Sequence, residues 1–193
     1  MTKDVNRQAR VVDQMLSMHS ALRDRYARRA RFLTLAILGC SVVLCTITFL
    51  PDNALEPLGV SAAANRFIIG GFASLVLFLS IVELFVRWQT ISAHYGEAAE
   101  KLAKLKFQYR AASSGGEVDA EKCDLLKREY EECMEKLPPI PDKLFPSLKS
   151  YHIRKVRLSR MIDSNPGCPV WFLRLRLLIK GILGKQEKEG TDQ

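Results

Sequence analysis

FLTLAILGCSVVLCTITFL, from Phe32 to Leu50, and FIIGGFASLVLFLSIVELFV, from Phe67 to Val86, decide how this chain is read. The first run carries no charge, and the second carries only Glu83. Each is close to the ~20 residues a helix needs to cross a hydrocarbon core, and too long for an ordinary buried helix. The reading is an all-α membrane protein: transmembrane helices at 32–50 and 67–86, a short external loop at 51–66, and a cytoplasmic helical bundle.

Charge sets the orientation. Of 29 Lys and Arg, eight precede Phe32, Arg66 alone lies between the runs, and twenty follow Val86. The positive-inside rule therefore places both termini in the cytoplasm. A cleavable signal peptide is the competing reading of the first run. It requires a short basic stretch before the apolar region and a small-residue cleavage site after it, whereas here a charged segment, 1–31, comes first. The run is read as an anchor, behind an N-terminal cytoplasmic helix.

Mean hydropathy of −0.02 and 26% charged residues look like an average soluble protein. That value arises by averaging two segregated apolar runs with a highly charged remainder. Roughly 150 residues stay outside the bilayer, enough for one modest helical domain. The net charge of +8 belongs to segments beside an anionic leaflet. Cys40 and Cys45 lie in the first run, and Cys123, Cys133 and Cys168 fall on the cytoplasmic side, where thiols stay reduced. No CxxC pair, no zinc spacing among His19, His94 and His152, and no GxxxxGK[ST], GxGxxG or GxSxG motif occurs. No enzymatic activity, metal or cofactor is expected.

Beyond the second run a heptad register continues. Ile81, Leu84, Trp88, Ile91, Tyr95, Ala98, Leu102, Leu105, Tyr109 and Ala112 recur at spacings of three and four, on one stripe of a helix. The unbroken stripe predicts one continuous helix over 67–112. Trp88, Ile91, Tyr95, Leu102, Leu105 and Tyr109 are candidate bundle or oligomer seam residues. Gly115 and Gly116 stop the helix, and Leu126, Tyr130, Cys133 and Leu137 resume the spacing in an antiparallel partner. The hairpin spans 87–137. In the N-terminal segment Val12, Met15, His19, Leu22 and Tyr26 keep helical spacing, and His19 reads as a packed core residue.

KLPPIPDKLFPSLKS, at 138–150 with its flanks, carries four prolines and reads as an extended connector. The basic C-terminal region, 151–193, holds a short helix with Arg154, Lys155, Arg157 and Arg160, then VWFLRLRLLIKGILG from Val170 to Gly184. This last element is too short and too charged to span. Trp171 with Leu175, Leu178, Ile179 and Ile182 shares one face, and Arg174, Arg176 and Lys180 fall on the other. That pattern fits a helix on the membrane surface, or one packed on the bundle. A nucleic-acid site is not expected, since juxtamembrane charge is accounted for by anionic lipid.

Within the apolar runs, Gly70 and Ser74 form a small-xxx-small pair beside Gly71, and Ala36 and Cys40 form another, permitting close helix packing. Glu83 has two readings. It pairs with Arg87 at i,i+4, or copies of it ring the inner mouth of an oligomeric pore.

The N-terminal helix ending in RDRYARRARFLTLAI, the two closely spaced apolar runs, the long following WQTISAHYGEAAEKLAKLKFQYR and its hairpin partner together resemble the SLATT domains of bacterial conflict systems, over about residues 8–160. The resemblance implies an inner-membrane effector of an antiphage, nucleotide-signalling system. Its partners are implied to be the lipid bilayer, further copies of itself, and a nucleotide-signal synthase, sensor or reverse transcriptase encoded nearby. Two spans cannot enclose an aqueous path, so a pore requires several copies. The rival readings are a membrane-anchored helical scaffold and a regulatory subunit of a larger transporter.

Overall fold

The computed structural model describes residues 2–49, 62–114, 120–177 and 179. Five helices run through them: α1 Thr2–Phe49, α2 Ala62–Val86, α3 Trp88–Ser114, α4 Ala120–Glu135 and α5 Phe145–Ser164. A further helical stretch covers 170–177, and no strand occurs among the described residues. Two of these helices are long and apolar enough to cross a membrane.

The N-terminal helix and the first apolar run form one element, because nothing in Ala27, Arg28, Arg29, Ala30 and Arg31 disfavours a helix. In the apolar stretches hydroxyls return to the carbonyl one turn back. Ser41 donates to Ile37 O at 2.8 Å, Thr46 to Val42 O at 2.8 Å, Ser74 to Gly70 O at 2.9 Å and Ser80 to Val76 O at 2.8 Å. A polar side chain satisfied inside its own helix is compatible with hydrocarbon around it. Helix α2 starts at Ala62, so 62–66 of the expected external loop are helical; the rest of that loop and the Gly115–Gly116 turn lie outside the described residues.

The chain divides into two compact units, one from Met1–Met18 and Lys101–Gln193, the other from His19–Glu100. In the first unit the start of α1 lies antiparallel to the end of α3. The Lys106 ammonium pairs with the Asp13 carboxylate, and the Tyr109 hydroxyl donates to Gln8 Oε1 at 3.0 Å. Val12, Leu102, Leu105, Tyr109 and Leu126 are buried together, and Met15, Tyr130, Cys133 and Leu137 close the edges. Each fully buried Leu or Val contributes about 1.5–3 kcal/mol. Burial, reinforced by Tyr130, Glu129 and Cys123, pushes the Tyr109 hydroxyl up to about 12, so it stays a neutral donor. The Cys133 thiol is also raised, chiefly by burial.

The expected extended connector over 138–150 is shorter than the prolines suggest. Helix α5 begins at Phe145 with Pro146 in its first turn, where a missing N–H costs nothing. Leu148 and Leu173 are buried, so both α5 and the 170–177 stretch are anchored by a leucine.

In the second unit α1 runs antiparallel to α2 and α3. Ser92 Oγ donates to Arg23 O at 3.1 Å, and Thr34 Oγ1 donates to Glu83 Oε1 at 2.8 Å, partners that separate along α1 as they approach the start of α2. The Tyr26 and Tyr95 rings stack at 5.8 Å between centroids, and His19, 1% exposed, packs against Tyr95. Burial, then Tyr26, raises the Tyr95 hydroxyl pKa.

The continuous helix expected over 67–112 is interrupted. Arg87 has φ 47°, the left-handed region, and separates α2 from α3. The ladder carries across it, from Arg87 N to Glu83 O and from Ile91 N to Arg87 O, both 3.2 Å. The stripe is not unbroken either: Ile81 and Leu84 are exposed, and full burial starts at Tyr95. A side chain opposes left-handed φ by about 1–2 kcal/mol, which glycine avoids. Arg87→Gly is therefore expected to raise the thermal midpoint of the detergent-solubilised chain, with a gain of about 1 kcal/mol. A lowered midpoint shows that the arginine side chain contributes more than its backbone costs.

Candidate functional site

Glu83 lies three residues before Val86, the C-terminal end of the second apolar run, on a helix otherwise lined there by Ile81, Val82, Leu84 and Phe85. A carboxylate in such a run costs up to about 2–3.5 kcal/mol near the bilayer centre and faces protein or water. Here antiparallel packing brings Thr34, near the start of the first run, against it, and the hydroxyl satisfies one oxygen at 2.8 Å. Arg87, one turn on, is exposed and forms no ion pair with Glu83. Its left-handed backbone turns the side chain off the i,i+4 line that the pair requires. The local pair read from spacing is replaced by a bond between two helices.

Glu83, Arg87, Ser80, Thr90, Trp88 and Leu33 open onto one recess of ≈ 390 Å³. A carboxylate facing such a recess can attract and hold a cation at the end of an apolar run. Among the described residues no group of three or more His, Cys, Asp or Glu gathers as a metal site would require.

The remaining candidate residues distribute as follows. Gly70, Gly71 and Ser74 are exposed, and a Cβ at Gly70 or Gly71 would touch nothing within 4 Å. Ala36 and Cys40 are half-buried. The two small-residue pairs are thus differently placed, the α2 pair facing outward. Trp88 and Ile91 are half-buried, whereas Tyr95, Leu102, Leu105 and Tyr109 are buried. Trp171, Arg174 and Arg176 are exposed, and Lys180 lies outside the described residues. The 170–177 stretch does two things at once. Leu173 packs inward, Arg174 and Leu177 share a groove of ≈ 460 Å³ with Tyr151, Arg154, Lys155 and Leu158, and the Trp171, Leu175 and Ile179 face stays exposed.

Thr34 is the site residue that spacing could not reveal, since its partner is 49 residues away. Polarity inside an apolar run is the one signal that marks it. Compared with known proteins, the chain matches no family model, no curated protein and no solved structure.

Proposed function

We propose that this chain is a two-pass membrane protein with both ends in the cytoplasm, and that several copies assemble into a pore-forming effector of the SLATT type in a bacterial antiphage, nucleotide-signalling system. One observation carries the membrane reading. The most apolar windows of the two long helices are 6% and 0% buried, whereas the core helix of a soluble protein is mostly covered. Phe67, Phe85 and Leu84 stand 83%, 79% and 74% exposed. Contiguous apolar surface beyond a few hundred Å² is rare on a soluble monomer, and here lipid covers it.

The pore reading draws its support from Glu83, bonded by Thr34 and open to a recess, and from the open face at Gly70, Gly71 and Ser74, where a second helix can approach closely. The scaffold reading has one observation in its favour: the seam at Leu102, Leu105 and Tyr109 is covered by Val12 and Leu126 of the same chain, so the bundle closes without a second copy.

Two measurements test these readings. With the five native cysteines replaced by Ser, Asn53→Cys is expected to react with an impermeant maleimide on intact spheroplasts, and Ala112→Cys only after lysis. The reverse pattern overturns the two-span topology. Expression of the full chain together with the nucleotide-signal synthase that this reading places beside it is expected to depolarise bacteria loaded with a membrane-potential dye. A steady potential with the signal present leaves the scaffold in place of the pore.

A further inference from the structure

Arg25, Arg28, Arg29 and Phe32 follow the i, i+3, i+4, i+7 spacing of a single helix face, and with Trp88 they line a groove of ≈ 400 Å³. Its charge is unbalanced. The one acid in this part of α1, Asp24, is held by Arg23, whose Nη2 lies 2.9 Å from Asp24 Oδ1. Arg28 Nε donates only to the Asp24 carbonyl at 3.2 Å, and the Arg29 guanidinium lies 6.0 Å from the Tyr26 ring centroid, leaving its N–H edges free to donate. Arg25 has no carboxylate partner either. Three guanidiniums without carboxylates beside two aromatic rings suit a ligand that carries an anionic phosphate and an apolar portion.

Depth distinguishes a lipid from a soluble phosphate. Arg29, Arg28 and Arg25 precede Phe32 by three, four and seven residues, which at ~1.5 Å per residue puts them about 5–10 Å below the apolar edge. Trp88 lies two residues past Val86, about 3 Å beyond the same edge on the other helix. The headgroup zone of a leaflet is itself about 5–8 Å deep. Phe32, the first residue of the apolar run, lines the groove at its apolar end, and a tryptophan at this level is typical of the interface. We infer that the groove of Arg25, Arg28, Arg29, Phe32 and Trp88 binds the headgroup phosphate of an anionic phospholipid in the inner leaflet. The inference rests on the two-span placement proposed above and on no feature of the pore.

Trp88 supplies the readout. Trp171→Phe leaves it as the only tryptophan of the full chain. In neutral detergent, dihexanoyl phosphatidylglycerol is expected to shift Trp88 emission saturably, dihexanoyl phosphatidylcholine to bind at least about tenfold more weakly, and inorganic phosphate not to compete. Arg28→Gln with Arg29→Gln is expected to weaken phosphatidylglycerol about thirtyfold, and Arg28→Lys with Arg29→Lys to recover part of that loss. Equal affinity of the wild type and the Gln variant overturns the assignment. Competition by inorganic phosphate as strong as by lipid overturns it too, in favour of a soluble phosphate ligand. If the double variant loses helical circular dichroism, exposed Arg25→Gln takes its place, with about fivefold weakening expected and unchanged affinity refuting the site. Retention in alkaline-washed membranes is measured alongside. Extraction of the wild type refutes the two-span placement and the lipid site with it, whereas retention without lipid selectivity refutes the lipid site alone.

Discussion

Replacing Leu102 and Leu105 together by Asp is expected to abolish the folded bundle and, on the two-span reading proposed above, to leave the chain in the membrane. Both side chains are buried, at 0% and 3% exposure, among Val12, Tyr109 and Leu126. Losing two leucines forfeits about 3–6 kcal/mol of burial, and placing two carboxylates in the same space adds several more. The sum is comparable to the 5–15 kcal/mol that typically holds a domain together. Amide hydrogen exchange reads the result: protection in α4 and in the first turns of α1 should collapse, and that of α2 should persist. Native-like protection of α4 in the double variant means that the seam is not the core of the bundle.

On the pore reading proposed above, Glu83→Gln is expected to change ion preference without changing expression. Glutamine keeps an acceptor for the Thr34 hydroxyl, so the bond between the helices survives and only the charge is removed. A carboxylate about 6 Å from a passing cation attracts it by about 0.7 kcal/mol in water, roughly threefold in local cation occupancy for each copy in a ring. Reversal potentials in planar bilayers give the comparison, with Thr34→Val as the partner variant that keeps the charge and removes the donor. Identical reversal potentials for wild type and Glu83→Gln exclude this carboxylate from the conduction path.

Most of the helical architecture is legible in the sequence, because two uncharged runs and a three-four repeat are strong local signals. The seam residues from Tyr95 to Tyr109 are buried as the spacing requires, since periodicity reports which side of a helix must leave water. What stayed hidden depends on a single backbone angle or on a distant partner. A left-handed residue is marked in sequence by Gly or Asn, and Arg87 carries neither signature. That one angle ends the stripe above Trp88 and moves Glu83 from Arg87 to Thr34. The prolines of 138–150 point to a long extended segment, yet Pro146 is tolerated in the first turn of a helix, and α5 takes nearly half of that stretch. The groove at Arg25, Arg28 and Arg29 was readable as a spacing on α1, but only the tertiary structure brings Trp88 to it.

Closure of the Leu102, Leu105 and Tyr109 seam inside one chain has a consequence for its concentration dependence. Folding of the bundle is unimolecular, so its extent is the same at one copy per cell as at a thousand, whereas any assembly through the faces of α1 and α2 obeys mass action in two dimensions. On the oligomeric-effector reading proposed above, a cell can therefore hold a stock of folded, unassembled chains that cross into activity steeply as their density or mutual affinity rises. Dilution with extra lipid after reconstitution should reverse such an assembly while leaving every bundle intact.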